Sequence, residues 1–248
     1  MINFIRKFIA LLIFLGLWET LVVLISPPAY LFPSPLKVFS VLIDNWFLIL
    51  TNAGITFFEA FTGFLIANLI SLAIAIIIAF YRKFEDIVMP IAIVLKTIPV
   101  IALVPLMIIW LGSGFLSKIA TAMLICFFPA LVNVLRGTKS IDDNLIELFR
   151  VYSANRRQLT KFLIIPSILP YIFAALKISS SLAVIGALVG EFIGSNRGLG
   201  FLIMSNYYNM NTAFVFATIT VSSIMGISFY YAIHFLEKKM VLDSKEVI

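Results

Sequence analysis

The sequence predicts an all-α polytopic membrane protein with six transmembrane helices, and three observations carry that prediction. First, 62% of the residues are hydrophobic and only 12% are charged, against roughly 25% charged in a typical soluble domain. So few charges cannot coat a water-facing surface, which excludes an ordinary soluble enzyme and a disordered chain. Second, the apolar residues gather in six runs, at about 8–25, 54–80, 88–111, 117–135, 171–190 and 213–235. Each is close to the ~20 residues a helix needs to cross the hydrocarbon core. Helices are required, since lipid offers no partner to a free backbone group and the runs are too long for barrel strands. Third, the basic residues are asymmetric. With the N-terminus inside, 13 of the 18 Lys and Arg residues fall in inner segments and three (Lys37, Lys118, Arg197) in outer ones. That bias predicts a cell-membrane protein with both termini cytoplasmic. It also accounts for the net charge of +6 without a nucleic-acid partner.

The first run follows Arg6 and Lys7 and is interrupted only by Glu19 and Thr20. No small-residue cleavage site follows it, so an uncleaved first helix is expected rather than a signal peptide. The outer segment then carries Ser26-Pro27-Pro28 and Leu31-Phe32-Pro33-Ser34-Pro35. Val38, Leu42 and Trp46 follow at helical spacing, which predicts a short amphipathic helix lying in the interface. The second run contains Glu59. The third contains Pro90, Pro99 and Pro105, each of which removes a backbone hydrogen bond and bends its helix.

Lys96 lies in the same run, roughly 12 Å from its inner end at 1.5 Å per residue. A charge at mid-bilayer costs ~2.5–3.5 kcal/mol on insertion scales. Lys96 therefore either attracts an anionic solute in a pathway or pairs with Glu59 or a backbone carbonyl. Lys177, in the fifth run, is near enough to its inner end to snorkel. Glu191 closes that run, where it can pair with Arg197 or form part of a gate. Glu59, Lys96, Pro99, Pro105 and Glu191 are thus the pathway or gate candidates. The last outer segment, 191–212, is marked by Gly194, Gly198 and Gly200.

One cysteine (Cys126) and one histidine (His234) supply no metal-ligand set. Gly137-Thr138-Lys139-Ser140 looks like the tail of a phosphate-binding loop, but Val132 stands where its first glycine belongs. The chain itself is expected to hold no nucleotide and no other cofactor.

The inner segment 136–170 is the largest hydrophilic part of the chain. Asp142 or Asp143 can cap a helix that places Leu145, Leu148, Phe149 and Tyr152 on one apolar face. Ser153-Ala154-Asn155 supplies a break, and a second short helix is expected, bounded by Pro166 and Pro170. The apolar face has two destinations: back onto the bundle, or out into a groove on a cytoplasmic partner.

Here the sequence resembles the permease subunits of ABC importers. Their inner loop reads E-A-A, three residues, Gly, nine residues, I-x-L-P. The corresponding residues are Glu147-Leu148-Phe149, Ser153, and Leu163-Ile164-Ile165-Pro166, at matching spacing. Phe149 replaces an alanine and Ser153 replaces the glycine. Serine tolerates positive φ less readily than glycine, so an altered turn is expected, and the bulk of Phe149 calls for a wider groove on the partner. Within the family the chain is most similar to the nitrate/sulfonate/taurine branch, which includes pyrimidine-precursor transporters. Three further segments carry that likeness: Leu31-Phe32-Pro33-Ser34-Pro35; Lys96-Thr97-Ile98-Pro99-Val100 continuing to Pro105-Leu106; and Glu191-Phe192-Ile193-Gly194 followed by Gly198-Leu199-Gly200-Phe201-Leu202-Ile203.

The resemblance implies the type I importer permease fold, as a single domain over 1–248. It implies a homodimeric pore, two cytoplasmic ATPase subunits that bind the ATP, and an external solute-binding protein. The solute would be a small anion (sulfonate, taurine, nitrate) or a pyrimidine-type precursor. Asp143, Glu147, Phe149, Tyr152, Ser153, Ala154, Asn155 and Pro166 would form the part coupled to the ATPase.

Two other classes compete less well. An intramembrane enzyme needs a nucleophile or paired acids with a base at membrane depth, and no such motif is present. A stand-alone ion-coupled carrier should show internal repeats or paired broken helices. No clear repeat is visible, and such a carrier leaves segment 136–170 without a purpose.

Overall fold

A computed structural model describes residues 2–28 and 30–245; Met1, Ala29 and 246–248, including those ends of the expected 1–248 domain, lie outside the described residues. The described residues form helices and no strand. In chain order they are α1 (Ile2–Ile25), α2 (Pro35–Asp44), α3 (Trp46–Phe80), α4 (Glu85–Thr97), α5 (Val100–Leu111), α6 (Phe115–Lys139), α7 (Asp143–Val151), α8 (Arg156–Leu159), α9 (Ile165–Glu191), α10 (Leu199–Tyr208) and α11 (Thr212–Lys245). Four helical stretches are long and apolar enough to span a membrane alone: Trp46–Phe80, Phe115–Lys139, Arg156–Glu191 and Thr212–Met240. Two shorter apolar stretches, Leu12–Ile25 and Val100–Leu111, correspond to the first and third predicted runs.

The core is a three-helix contact of α3, α6 and α9, and small residues create it. Gly63 of α3 and Gly186 of α9 both face Ala122 of α6, so closely that a Cβ on Gly63 would lie 2.7 Å from the Ala122 Cβ, and one on Gly186 2.6 Å from the Ala122 Cα. In lipid, where apolar burial gives little drive to associate, such close backbone approach is how helices gain packing energy. Below this contact Leu131, Val134, Ile164 and Ile168 close a second buried cluster. α11 packs on α9, α2 and α10. Outward, large apolar side chains such as Leu69, Ile109, Ile185 and Ile227 are exposed, as lipid-facing residues must be.

Four boundaries differ from the sequence reading, each for a local reason. The third run is not one bent helix: it divides into α4 and α5 at Ile98–Pro99, where Ile98 is extended (ψ 125°). Pro99 supplies no N–H to continue the ladder, and it disfavours the helical conformation in the residue before it. Pro90 and Pro105 stay inside their helices. Trp46 is not part of the amphipathic helix; α2 ends at Asp44 and Trp46 begins α3. α6 runs on to Lys139, so the inner loop is shorter than 136–170.

Pro166 and Pro170 do not bound a separate helix. The chain runs from α8 through one π-turn (Thr160–Ile164), in which the Ile165 N–H reaches the Thr160 carbonyl, directly into α9. Such a turn inserts one residue into the ladder and lets a helix carry prolines in its next turns.

The expected α2 is well determined. The Ser34 hydroxyl accepts the Lys37 N–H at 3.3 Å, Pro35 occupies the first turn where its missing N–H costs nothing, and the Glu19 carboxylate of α1 accepts the Leu36 N–H at 3.1 Å. An acid on a membrane helix is thus used to cap its neighbour.

Candidate functional site

The bundle carries a polar construction at each end. One end is basic and contains α7; the other contains the glycine-marked turn before α10.

At the basic end, Asp142 rather than Asp143 caps α7, its Oδ1 accepting the Asn144 N–H at 2.9 Å. Asp143 opens the first turn, favourable to an acid near the positive end of the helix dipole. Ile146 and Phe149 turn inward and pack on the core cluster with Leu131 and Ile164. Leu145, Leu148, Val151 and Tyr152 are exposed, the last two by 75% and 78%. Glu147 is exposed among them. The predicted apolar face is therefore divided: Phe149 goes back to the bundle, so its bulk does not project outward, and a ridge of Leu145, Leu148, Val151 and Tyr152 points away.

The end of α7 is a tight reversal. The Ser153 N–H bonds the Arg150 carbonyl at 2.9 Å and the Ala154 N–H bonds the Phe149 carbonyl at 3.0 Å, the paired bonds of a helix stop closed by a left-handed residue. That residue is Ser153, at φ 55°. The serine thus keeps the turn that a glycine would make, at a cost of order 1–2 kcal/mol, and the expectation of an altered turn is not met. Asn155 restarts the chain as α8: its Oδ1 accepts the Gln158 N–H at 2.9 Å, while the Gln158 Oε1 accepts the Asn155 N–H at 2.8 Å. This reciprocal box fixes the angle between α7 and the helix leading to Pro166.

At the other end, Glu191 is buried, 1% exposed. Its Oε1 accepts the Thr56 hydroxyl at 2.7 Å and its Oε2 accepts the Gly200 N–H at 2.6 Å. Thr56 Oγ1 in turn accepts the Leu199 N–H at 2.8 Å, and Asn52 Oδ1 accepts the Gly198 N–H at 2.7 Å. Three side chains from α3 and α9 therefore take up the free N–H groups that begin α10. Gly198 is at φ 98°, and a side chain there would collide with the Glu191 carboxylate. The expected Glu191–Arg197 pair does not form: the Arg197 guanidinium lies over the Phe115 ring at 5.1 Å. Beside this lock a cavity of about 440 Å³ is lined by Glu59, Lys118, Gly194 and Arg197. Glu59 and Lys118 are 3% and 1% exposed.

Glu59 thus lies toward the α10 end while Lys96 sits against the middle of α6, and the pairing of the two, one of the alternatives expected for Lys96, is not made. The Lys96 ammonium lies 4.8 Å from the centre of the Phe128 ring, on the last turn of α4 beside the break at exposed Pro99. Pro105, also exposed, lies on α5. Lys177 has a partner that the sequence reading did not name: its Nζ bonds both oxygens of Glu237 on α11, at 2.9 and 2.8 Å, and Glu237 also meets His234 at 3.2 Å.

Asn52, Thr56 and Lys118 escaped the sequence reading. Asn52, Thr56 and Glu59 are spaced i, i+4, i+7, one face of a helix, and that polar stripe was the available signal. Among the described residues no cluster of His, Cys, Asp and Glu could hold a metal ion.

Comparison with known proteins places these features in context. A family profile described as binding-protein-dependent transport system inner membrane component matches residues 67–242. The chain is 35% identical over 227 residues to a formylaminopyrimidine transport permease of Halalkalibacterium halodurans, covering 91% of this chain and 90% of that protein. It is 30% identical over 231 residues to a putative aliphatic sulfonates transport permease of Bacillus subtilis, covering 92% and 83%. A chain of the MetNI methionine ABC transporter, in an inward-facing conformation, has a similar fold with TM-score 0.54 at 20% identity, covering 77% of this chain and 98% of that one.

Proposed function

Because the chain belongs to the family of binding-protein-dependent transport system inner membrane components, we propose that it is the membrane-spanning subunit of an ATP-driven importer. It makes and breaks no bonds. Two copies enclose the solute pathway, each as a single permease domain with both termini on the ATPase side. A cytoplasmic ATPase pair binds the ATP and receives the ridge around Glu147. A solute-binding protein docks at the opposite face, where Glu191, Thr56 and Asn52 hold α10. Lys96, Pro99 and Pro105 mark the broken helix that borders the pathway. The solute is a small sulfonate, taurine, nitrate or a pyrimidine-type precursor, solutes named for several of the relatives, among which a riboflavin transport permease also stands.

One observation supports this reading above the others. An amphipathic helix in water would ordinarily bury its apolar residues, yet α7 anchors only Ile146 and Phe149 and leaves Leu145, Leu148, Val151 and Tyr152 outside. That is the shape of a helix made to lie in a groove on a partner. Closure of the ATPase dimer would then move α7, and the partner's different contacts with α7 in its two states supply the coupling free energy.

The test is a photoreactive residue at Leu148 in native membranes, followed by purification in mild detergent and mass spectrometry. A covalent adduct with a P-loop ATPase is expected, together with copurification of an exported solute-binding protein. That protein is then screened by thermal shift against taurine, nitrate and aminopyrimidines. Glu147→Ala is expected to leave the complex assembled and to uncouple ATP hydrolysis from uptake. A complex purified intact without any adduct at Leu148 or Tyr152 would refute the assignment of α7.

A further inference from the structure

The charged side chains that flank α7 on the bundle side converge on one short segment, the turn Tyr81–Glu85 between α3 and α4. Lys139, the last residue of α6, places its Nζ 2.6 Å from the Glu85 Oε1. Asp143, the first residue of α7, accepts from the Arg82 Nη2 at 2.6 Å. Arg156, the first residue of α8, donates to the Tyr81 hydroxyl at 2.8 Å, and its guanidinium lies over the Tyr81 and Phe80 rings at 5.2 and 5.5 Å. Three contacts thus come from before, within and after the α7 turn, and all three land within five residues.

Side-chain packing does only part of this work: Val88 and Met89 of α4 rest on the same core cluster as Ile146 and Phe149. Between α7 and the turn lies a cavity of about 740 Å³, lined by Arg82, Glu85, Lys139, Asp143 and Arg150 among others. α4, which Glu85 opens, is weakly held beyond this point. Ile87, Ile91, Ile93 and Val94 are exposed, Ala92 is buried, Val88 and Met89 are half-buried against the core, and the helix stops at the Pro99 break. Each exposed ion pair is weak alone, so a load passes through them only as a set. Weakness also suits a joint that must re-form at each cycle, whereas packed cores switch between discrete arrangements.

We propose that Tyr81, Arg82 and Glu85 are positioning residues, the receiving end of a three-point clamp through which the α7 loop moves α4, the inner half of the broken helix. The α6 and α9 ends follow α7 through the core packing of Ile146 and Phe149; α4 follows it through the clamp. This rests on the importer reading above, in which α7 is driven by the ATPase.

The experiment uses the assembled transporter in nanodiscs, with spin labels at Ile93 on α4 and at Thr62 on α3. The Ile93–Thr62 distance is measured before and after trapping with ATP and orthovanadate, and ATPase rates are measured with and without the binding protein. In the unaltered clamp the distance is expected to change on trapping. In Tyr81→Ala/Arg82→Ala/Glu85→Ala the ATPase should still copurify and the basal rate should hold. The distance change should vanish, and stimulation by the binding protein should fall about tenfold, the scale of a typical coupling between sites. Glu85→Lys should weaken stimulation, and Glu85→Lys/Lys139→Glu should restore it, which a purely structural role of either residue would not predict. The clamp is overturned if the triple variant still shows the distance change, or if the swapped pair does no better than Glu85→Lys. Failure of the ATPase to associate with the unaltered chain would instead sink the importer reading.

Discussion

Ser153→Gly should tighten the coupling loop, and the size of the effect follows from the turn. Ser153 holds φ at 55°, a left-handed conformation that costs an L-residue roughly 1–2 kcal/mol. Glycine removes that cost but returns about 0.4–1 kcal/mol through the greater freedom of the unfolded chain. The net gain is about 0.5–1 kcal/mol, which corresponds to roughly two- to fivefold slower local opening. Ser153→Pro acts in the opposite sense. Proline fixes φ near −65°, and it deletes the N–H that bonds the Arg150 carbonyl. The Ala154 bond to Phe149 depends on the same reversal, so a loss of about 3 kcal/mol or more is expected, at least ~100-fold faster opening. The assay is amide hydrogen exchange of the chain in nanodiscs, read on peptides covering residues 145–158. Slower exchange in Ser153→Gly and much faster exchange in Ser153→Pro are the expected results. Exchange in Ser153→Gly equal to or faster than that of the serine form would refute the left-handed stop. The same proline variant should then insert normally and fail to couple.

The opposite end yields two more predictions. Glu191→Ala leaves the Gly200 N–H buried without an acceptor, at about 1–3 kcal/mol, while the Thr56 hydroxyl falls back on the Asn52 carbonyl at 3.2 Å, and thermal unfolding in detergent should shift down accordingly. Gly198→Ala combines a positive φ of 98° with a collision against the Glu191 carboxylate, so its melting temperature should fall, with Glu191→Ala in the same chain recovering part of the loss. In the middle of the bundle, Lys96→Met should cost no more than roughly 2 kcal/mol of stability, the ceiling for a cation at a helix C-terminus. Uptake measured with the solute that the binding protein selects should fall for sulfonates or nitrate and hold for a neutral pyrimidine.

Much of this architecture was written in the spacing of the chain. The apolar runs, the capped α2, the cap at Asp142 (one of the two acids the sequence offered) and the Ser153-Ala154-Asn155 break are local features, decided by residues within a turn or two of each other, and the structure keeps them except that the third run divides in two. What the sequence hid are partners chosen at long range. Glu191 bonds Thr56, 135 positions away, and Lys177 bonds Glu237, 60 positions away, where local logic offered Arg197 for the one and named no partner for the other. The Glu59 pairing offered to Lys96 is not made because depth along a single helix measures distance to a membrane surface and not to another helix. Pro99 broke the helix while Pro90 and Pro105 did not, although all three have the same covalent constraint. The difference is that Ile98 goes extended before Pro99, and nothing in the flanking residues announces that.

The placement of the break explains why the two ends are built so differently. At the α10 end three side chains saturate buried N–H groups, and unsatisfied groups there would be costly, so that end behaves as one rigid piece. The α3–α6–α9 contact around Ala122 is equally unyielding, because Gly63 and Gly186 leave no room for an intermediate arrangement. α4 is more lightly held: Ala92 is buried and Val88 and Met89 rest on the core, while Ile87, Ile91, Ile93 and Val94 are exposed. A helix interrupted in lipid must satisfy the carbonyls of its last turn from somewhere, and the Thr97 hydroxyl, bonded to the Val94 carbonyl at 2.7 Å, and the neighbouring Lys96 are the groups at hand. The first is local, and the second ties this turn to α6 through the Phe128 ring. The ion pairs and hydrogen bonds that join the start of α4 to the α7 loop lie at the Tyr81–Glu85 turn. Displacement of α7 therefore reaches α4 through contacts weaker than the close packing that joins α3, α6 and α9.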